Sequence, residues 1–127
     1  MPEWRRYSKT MADAHYFSVW VTSGTQNPPL GILPVGASVY DVDIDVQQAF
    51  NSGGSDEIQV GHDSDNDAYA TLTDVSTTGV KSVTLGAGIG YLSVARQIEA
   101  YYVNGGGEPT TGKALVTLFY TLNPRQP

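Results

Sequence analysis

Apolar and polar residues alternate with a period of two along much of this chain, most clearly over residues 40–50, YDVDIDVQQAF. Successive side chains of a strand point to opposite faces, so Tyr40, Val42, Ile44 and Val46 are expected on one face and Asp41, Asp43, Asp45 and Gln47 on the other. Gln47 and Gln48 interrupt the alternation, and a β-bulge there would turn Phe50 inward. The turn NSGGSDE leads into a short partner strand over 57–61. Further strands are predicted over 16–22, 80–85, 91–94, 97–103 and 114–122. In 97–103, Ile98, Ala100 and Tyr102 oppose Gln97, Glu99 and Tyr101, whereas 114–122 is apolar on both faces and is expected to be central in its sheet or covered by a neighbouring chain. Residues 67–75 are read as a single helical turn, and GAGIG at 86–90 as a flexible turn. The stretch SGTQNPPLGILPVGA is a proline-rich connection that cannot enter a central ladder and is expected to cross a sheet edge.

A hairpin with one apolar side must bury that side against a second sheet. The predicted fold is therefore an all-β antiparallel β-sandwich of the jelly-roll type. The length of 127 residues suits one domain, divided into an extended N-terminal arm (1–13), a sandwich (14–122) and a C-terminal tail (123–127). Fourteen Gly, seven Pro and eight Tyr match short strands joined by tight turns. Without cysteine, disulfides, thiolate metal sites and a Cys nucleophile are excluded, so stability must come from packing or from neighbouring subunits. The first residues contain no apolar signal-peptide core, and no window approaches a membrane span, so neither export nor membrane association is expected.

Charge is unevenly placed. Residues 1–10 carry Arg5, Arg6 and Lys9 against Glu3, a balance of +2 within a total of −6, so the remainder carries −8. An acidic body repels a phosphate backbone, which argues against nucleic acid as a partner, while the arm with Trp4 and Tyr7 suits an acidic protein surface.

The strongest chemical pattern is HDSDND at 62–67. Asp63, Asp65 and Asp67 stand at positions one, three and five of a calcium-type loop, and Asp74 at position twelve. Ala68 replaces the glycine that such a loop needs, and a solvated loop built on Asx turns is the favoured reading. Asp41, Asp43 and Asp45 offer carboxylates for glycoside hydrolysis, but alternating acids on a strand are commonly a solvated face. His15 and His62 lack a serine elbow or HExxH spacing, and the glycine runs lack the Lys-Ser/Thr pair of a phosphate loop. No enzymatic activity and no cofactor are expected. Tyr69, Tyr91 and Tyr101 offer a stacking platform for a sugar, or else ordinary strand-face packing.

The run VDIDVQQAFNSGGSDEIQVGHDSDNDAY followed by IEAYYVNGGGEPTTGKALVTLFY resembles the small β-sandwich decoration (cement) proteins of tailed bacteriophages. The resemblance covers about 39–120 and rests on Ala49-Phe50-Asn51, Val60-Gly61, Gly105-Gly106-Gly107 and Pro109-Thr110-Thr111-Gly112, which are turn and strand signatures. It implies a non-enzymatic virion protein on the outer surface of the capsid, made in the host cytoplasm. Its implied partners are the major capsid protein and further copies of itself, commonly as a homotrimer, whose bridging stabilises the shell. A head-fibre or tail accessory protein, with carbohydrate binding as one role, is the alternative. On this picture Trp4, Arg5, Arg6 and Tyr7 of the arm and Pro28, Pro29, Leu30, Ile32, Leu33 and Pro34 of the loop are the expected partner contacts, with no nucleic acid and no membrane involved.

Overall fold

A computed structural model describes residues 14–122. In chain order the strands are β1 (Ala14–Thr22), β2 (Pro29–Leu33), β3 (Ala37–Gln48), β4 (Asp56–His62), β5 (Asp65–Asp74), β6 (Gly79–Val80), β7 (Gly90–Tyr91), β8 (Arg96–Asn104) and β9 (Lys113–Leu122). They form two antiparallel sheets. The first has the order β1-β9-β3-β6, with β7 also on β3, and the second has the order β2-β8-β4-β5. The chain crosses between sheets after β1, β2, β3, β5, β7 and β8, so sequence neighbours mostly face each other across the core rather than pair.

The core lies between the two inner faces. Val39, Val42, Ile44 and Val46 of β3 and Ala114, Val116, Leu118 and Tyr120 of β9 meet Ile58 and Val60 of β4 and Ile98, Ala100 and Tyr102 of β8. The all-β antiparallel expectation holds, and β9 is central between β1 and β3, which is why it is apolar on both sides.

Two bulges set the faces of β3. The register slips between Val46 and Gln48, as the doubled glutamine predicts, and Phe50 is buried. It also slips between Val39 and Asp41, which the sequence does not reveal. Tyr40 is therefore not inward as expected: Val39 takes the core position, and Tyr40 stands outside at 47% exposure.

Residues 67–75 are not a helical turn but most of strand β5. Ala68, Tyr69 and Ala70 are all buried, so this segment lacks the alternation that marks a half-buried strand. Its outer edge is covered by the glycine-rich segment: Gly88 N donates to Ala68 O, Gly86 N to Tyr69 O, and Thr71 N to Thr84 O. A Cβ on Gly86 would lie 2.3 Å from the Asp67 carbonyl oxygen, so GAGIG is a fitted edge cover rather than a flexible turn. The strand expected over 80–85 shrinks to Gly79–Val80 and an isolated bridge from Leu85 to Ala70, and that over 91–94 to Gly90–Tyr91. The proline-rich segment does lie at an edge, as strand β2 on β8, with a bulge between Pro29 and Gly31.

One end of the sandwich is closed by a polar latch made from the residues that carry the family resemblance. Asn51 Oδ1 accepts from Thr110 N and Thr111 N, its Nδ2 donates to Thr110 Oγ1, and Thr111 Oγ1 donates to Ala49 O. Gly107 N donates to Ser52 O and Gly105 N to Ser55 O. Phe50 stacks on Tyr102 at 4.8 Å and lies over Gly112, whose φ of 147° and lack of a side chain make room for the ring. Beneath it, the buried Asp56 carboxylate accepts from Ser52 N and from Tyr102 Oη. Burial, followed by the hydrogen bond to Asp56, pushes the Tyr102 phenol up to about 12.

Removing the Tyr102 hydroxyl takes one of two donors from a buried carboxylate, so Tyr102→Phe is expected to cost about 1–3 kcal/mol in urea unfolding at neutral pH. Because the folded phenol titrates above its ordinary value of 10.0, its contribution is complete below about pH 10 and is lost as pH rises through about 12. The variant should therefore lose stability less steeply over that alkaline window than the parent chain.

Candidate interaction surfaces

The outer face of the first sheet is built in register across three strands. Tyr16, Phe119 and Asp41 form one row, Ser18, Thr117 and Asp43 the next, and Trp20, Leu115 and Asp45 a third. The result is an aromatic column on β1, a mostly apolar column on β9 and a column of acids on β3. Tyr16 is 65% exposed and Trp20 42%. Phe119 has Tyr16 on one side at 6.3 Å and the bulged Tyr40 on the other at 6.2 Å between ring centroids. Lys113 lies 4.6 Å from the Trp20 ring, a cation–π contact. Among the described residues no Lys or Arg pairs with Asp41, Asp43 or Asp45. Asp41 caps the Val42 amide and Asp45 accepts from Gln47.

This patch was only half visible in the sequence. The acids are read from the alternation, but the rings come from β1, from β9 and from the Tyr40 bulge. The parity of β1 (Tyr16, Ser18 and Trp20 against Phe17, Val19 and Val21) is the signal that could have found it, had Phe17 been taken as the inward residue.

The residues expected to contact a partner fall into three groups. Trp4, Arg5, Arg6 and Tyr7 lie outside the described residues. Leu33 is fully buried in the core, Pro28 is buried and Leu30 packs against the core, so these three support the loop from beneath. Pro29, Ile32 and Pro34 are outward, with Ile32 67% exposed and Val35 57%. Strand parity separates Ile32 from Leu33, and a Cβ on Gly31 would strike the Phe17 ring at 2.7 Å, so β2 is pressed down onto β1 at that point.

The four aspartates of the calcium pattern are not gathered. Asp63 is on the tight β4–β5 turn, Asp65 and Asp67 begin β5, and Asp74 ends that ten-residue strand. Asp74 is engaged locally, its Oδ1 accepting from Ser76 N and Ser76 Oγ, and these bonds hold its pKa below the usual carboxylate range. The Asp67 carboxyl is raised by its hydrogen bond with Asp65. Among the described residues no group of three His, Cys, Asp or Glu side chains could hold a metal ion. The sugar platform is likewise dispersed: Tyr69 is buried with its ring edge toward His62, while Tyr91 is exposed. Tyr101 donates to Glu99, and burial and this bond push its phenol up to about 12. Among the described residues no helix is long and apolar enough to cross a membrane.

No family model matches the sequence, and no curated protein does. Solved structures do match the fold. A chain of the capsid asymmetric unit of cyanophage Pam1 superposes with a TM-score of 0.61 at 19% identity, covering 87% of this chain and 84% of that one. A chain of the acid-stable capsid of Helicobacter pylori bacteriophage KHP30 gives 0.60 at 14%, covering 86% and 87%. A chain of the capsid of Ralstonia phage GP4 gives 0.57 at 19%, covering 87% and 83%. In each case more than four fifths of both chains is covered.

The neighbouring residues Ile32 and Leu33 provide a test of how the loop is built. Leu33→Ala is expected to cost about 2–4 kcal/mol in denaturant unfolding, as for other buried leucines. Ile32→Ala should stay within about 0.5 kcal/mol of the parent, as at other surface positions.

Proposed function

We propose that this chain is a non-enzymatic virion structural protein of a tailed bacteriophage. In this reading it decorates the outer surface of the head, touches the major capsid protein and bridges neighbouring coat subunits as a homotrimer. The observation that carries the reading is the correspondence of fold, over more than four fifths of each chain, with chains from the capsids of three different phages. The order β1-β9-β3-β6 facing β2-β8-β4-β5 supports the jelly-roll reading of the sandwich, an architecture suited to a rigid block that presents its edges and faces to neighbours.

The physical demands of such a role are modest per copy. Many weak clamps on a closed shell add up through effective concentration, so each contact needs only a small, rigid apolar patch. The outward residues of the proline loop, Pro29, Ile32, Pro34 and Val35, supply such a patch on a segment that loses little entropy when it docks. The arm, with Trp4, Arg5, Arg6 and Tyr7, supplies the residue types that dominate interface energetics. The acidic body would keep free copies soluble before assembly.

The reading is tested by adding the purified protein to bare phage shells and following saturation. Ile32→Asp should leave thermal unfolding nearly unchanged, since the side chain is outward, while weakening attachment by roughly tenfold or more, the loss expected of an interface anchor. Unchanged saturation by this variant would remove the loop from the docking surface, and a parent protein that never binds shells would remove the decoration role.

A further inference from the structure

We infer that the outer face of the first sheet is the docking site of the chain's own basic arm, residues 1–13. This inference concerns the free protein and does not rest on the proposed function. Three observations converge on it.

The face has the chemistry of a receptor for an arginine-rich aromatic peptide. Tyr16 and Tyr40 stand exposed on either side of the half-buried Phe119, beside the carboxylates of Asp41, Asp43 and Asp45. An exposed aromatic group of this kind on a charged surface is where a partner segment is expected. The face already holds one cation in this manner, Lys113 over Trp20.

The complementary charge is found in the arm. The described residues carry eleven acids against Lys81, Arg96 and Lys113, whereas Arg5, Arg6 and Lys9 sit together in residues 1–13. In an extended backbone Trp4 and Arg6 share one side and Arg5 and Tyr7 the other. Whichever side turns toward the sheet offers one ring and one guanidinium, matched to one column of rings and one of carboxylates.

The arm is also within reach. It joins β1 at Ala14, two residues from Tyr16 and on the strand that borders the patch. The row from β1 across β9 to β3 spans roughly 10 Å, two strand spacings. The seven residue steps from Tyr7 to Ala14 can extend about 23 Å. A short tether confers an effective concentration of about a millimolar, so the chain's own arm outcompetes the arm of another copy at ordinary protein concentrations.

Trp4 and Trp20 are the two tryptophans of the chain, so full-length protein carrying Trp20→Phe reports on Trp4 alone. Its fluorescence should be blue-shifted and several-fold less quenched by acrylamide than that of a synthetic peptide of residues 1–13, in a monomeric fraction by sedimentation. Reversing the arm charges (Arg5→Glu with Arg6→Glu) should return quenching to the peptide value. Adding Asp41→Lys and Asp43→Lys to that variant, both at exposed positions, should restore protection. High salt should weaken protection in the parent. Trp4 that is quenched like the free peptide overturns the inference. So does protection confined to an oligomeric fraction, which assigns the face to another copy, or protection indifferent to both charge reversals.

Discussion

The whole structure depends on the burial of two one-sided sheets against each other. With no cysteine in the chain and no metal-binding cluster among the described residues, the packing of β3 and β9 against β4 and β8 carries what a disulfide or an ion would carry elsewhere. That burial fixes parity along every strand: each side chain is committed to the core or to the outside, and a one-residue slip would exchange the two sets. The bulges at Tyr40 and before Gln48 are where the chain uses such a slip deliberately, moving a tyrosine out and a phenylalanine in. The Asn51, Thr110 and Thr111 bonds, with Asp56 and Tyr102 below them, then close one end by satisfying backbone groups that would otherwise be left where the strands stop.

Much of this was legible in the sequence, and the failures have physical causes. The acids at Asp41, Asp43 and Asp45 mark the wet face of β3 because only one side of that strand meets the core. The doubly apolar β9 announces a central strand because β1 and β3 on either side shelter its outer face as well. β5 was hidden because Ala68, Tyr69 and Ala70 are all enclosed, the inner side by the sandwich and the edge by residues 84–88, so no alternation survives to be read. By composition the GAGIG run reads as slack, yet its glycines let two backbones meet, a distinction that depends on what lies opposite. The aspartate pattern at 63–74 carried a ligand spacing without the fold that would close it: an extended strand holds Asp67 and Asp74 apart, whereas a loop would bring them together.

The candidate surfaces were legible in part. The sequence leads one to expect partner contacts along the whole proline loop, but strand parity divides it into a buried half (Pro28, Leu33, with Leu30 packed on the core) and an outward half (Pro29, Ile32, Pro34). The aromatic face of the first sheet is not legible in the sequence because Phe119 lies about eighty residues from Tyr40 and about a hundred from Tyr16. Sheet order alone places Tyr16 beside Phe119 and Phe119 beside Tyr40. The apolar edge loop and the aromatic, acidic face lie on different sheets and differ in chemistry, so occupation of one leaves the other available to a second segment.

The most direct test of the proposed decoration role is the copy number of this chain in purified virus particles, measured against the major capsid protein by quantitative mass spectrometry. The account predicts a number comparable with that of the coat. A handful of copies per particle would assign the chain to a fibre or tail fitting, contradicting decoration, and its absence from the particle would contradict the virion reading altogether.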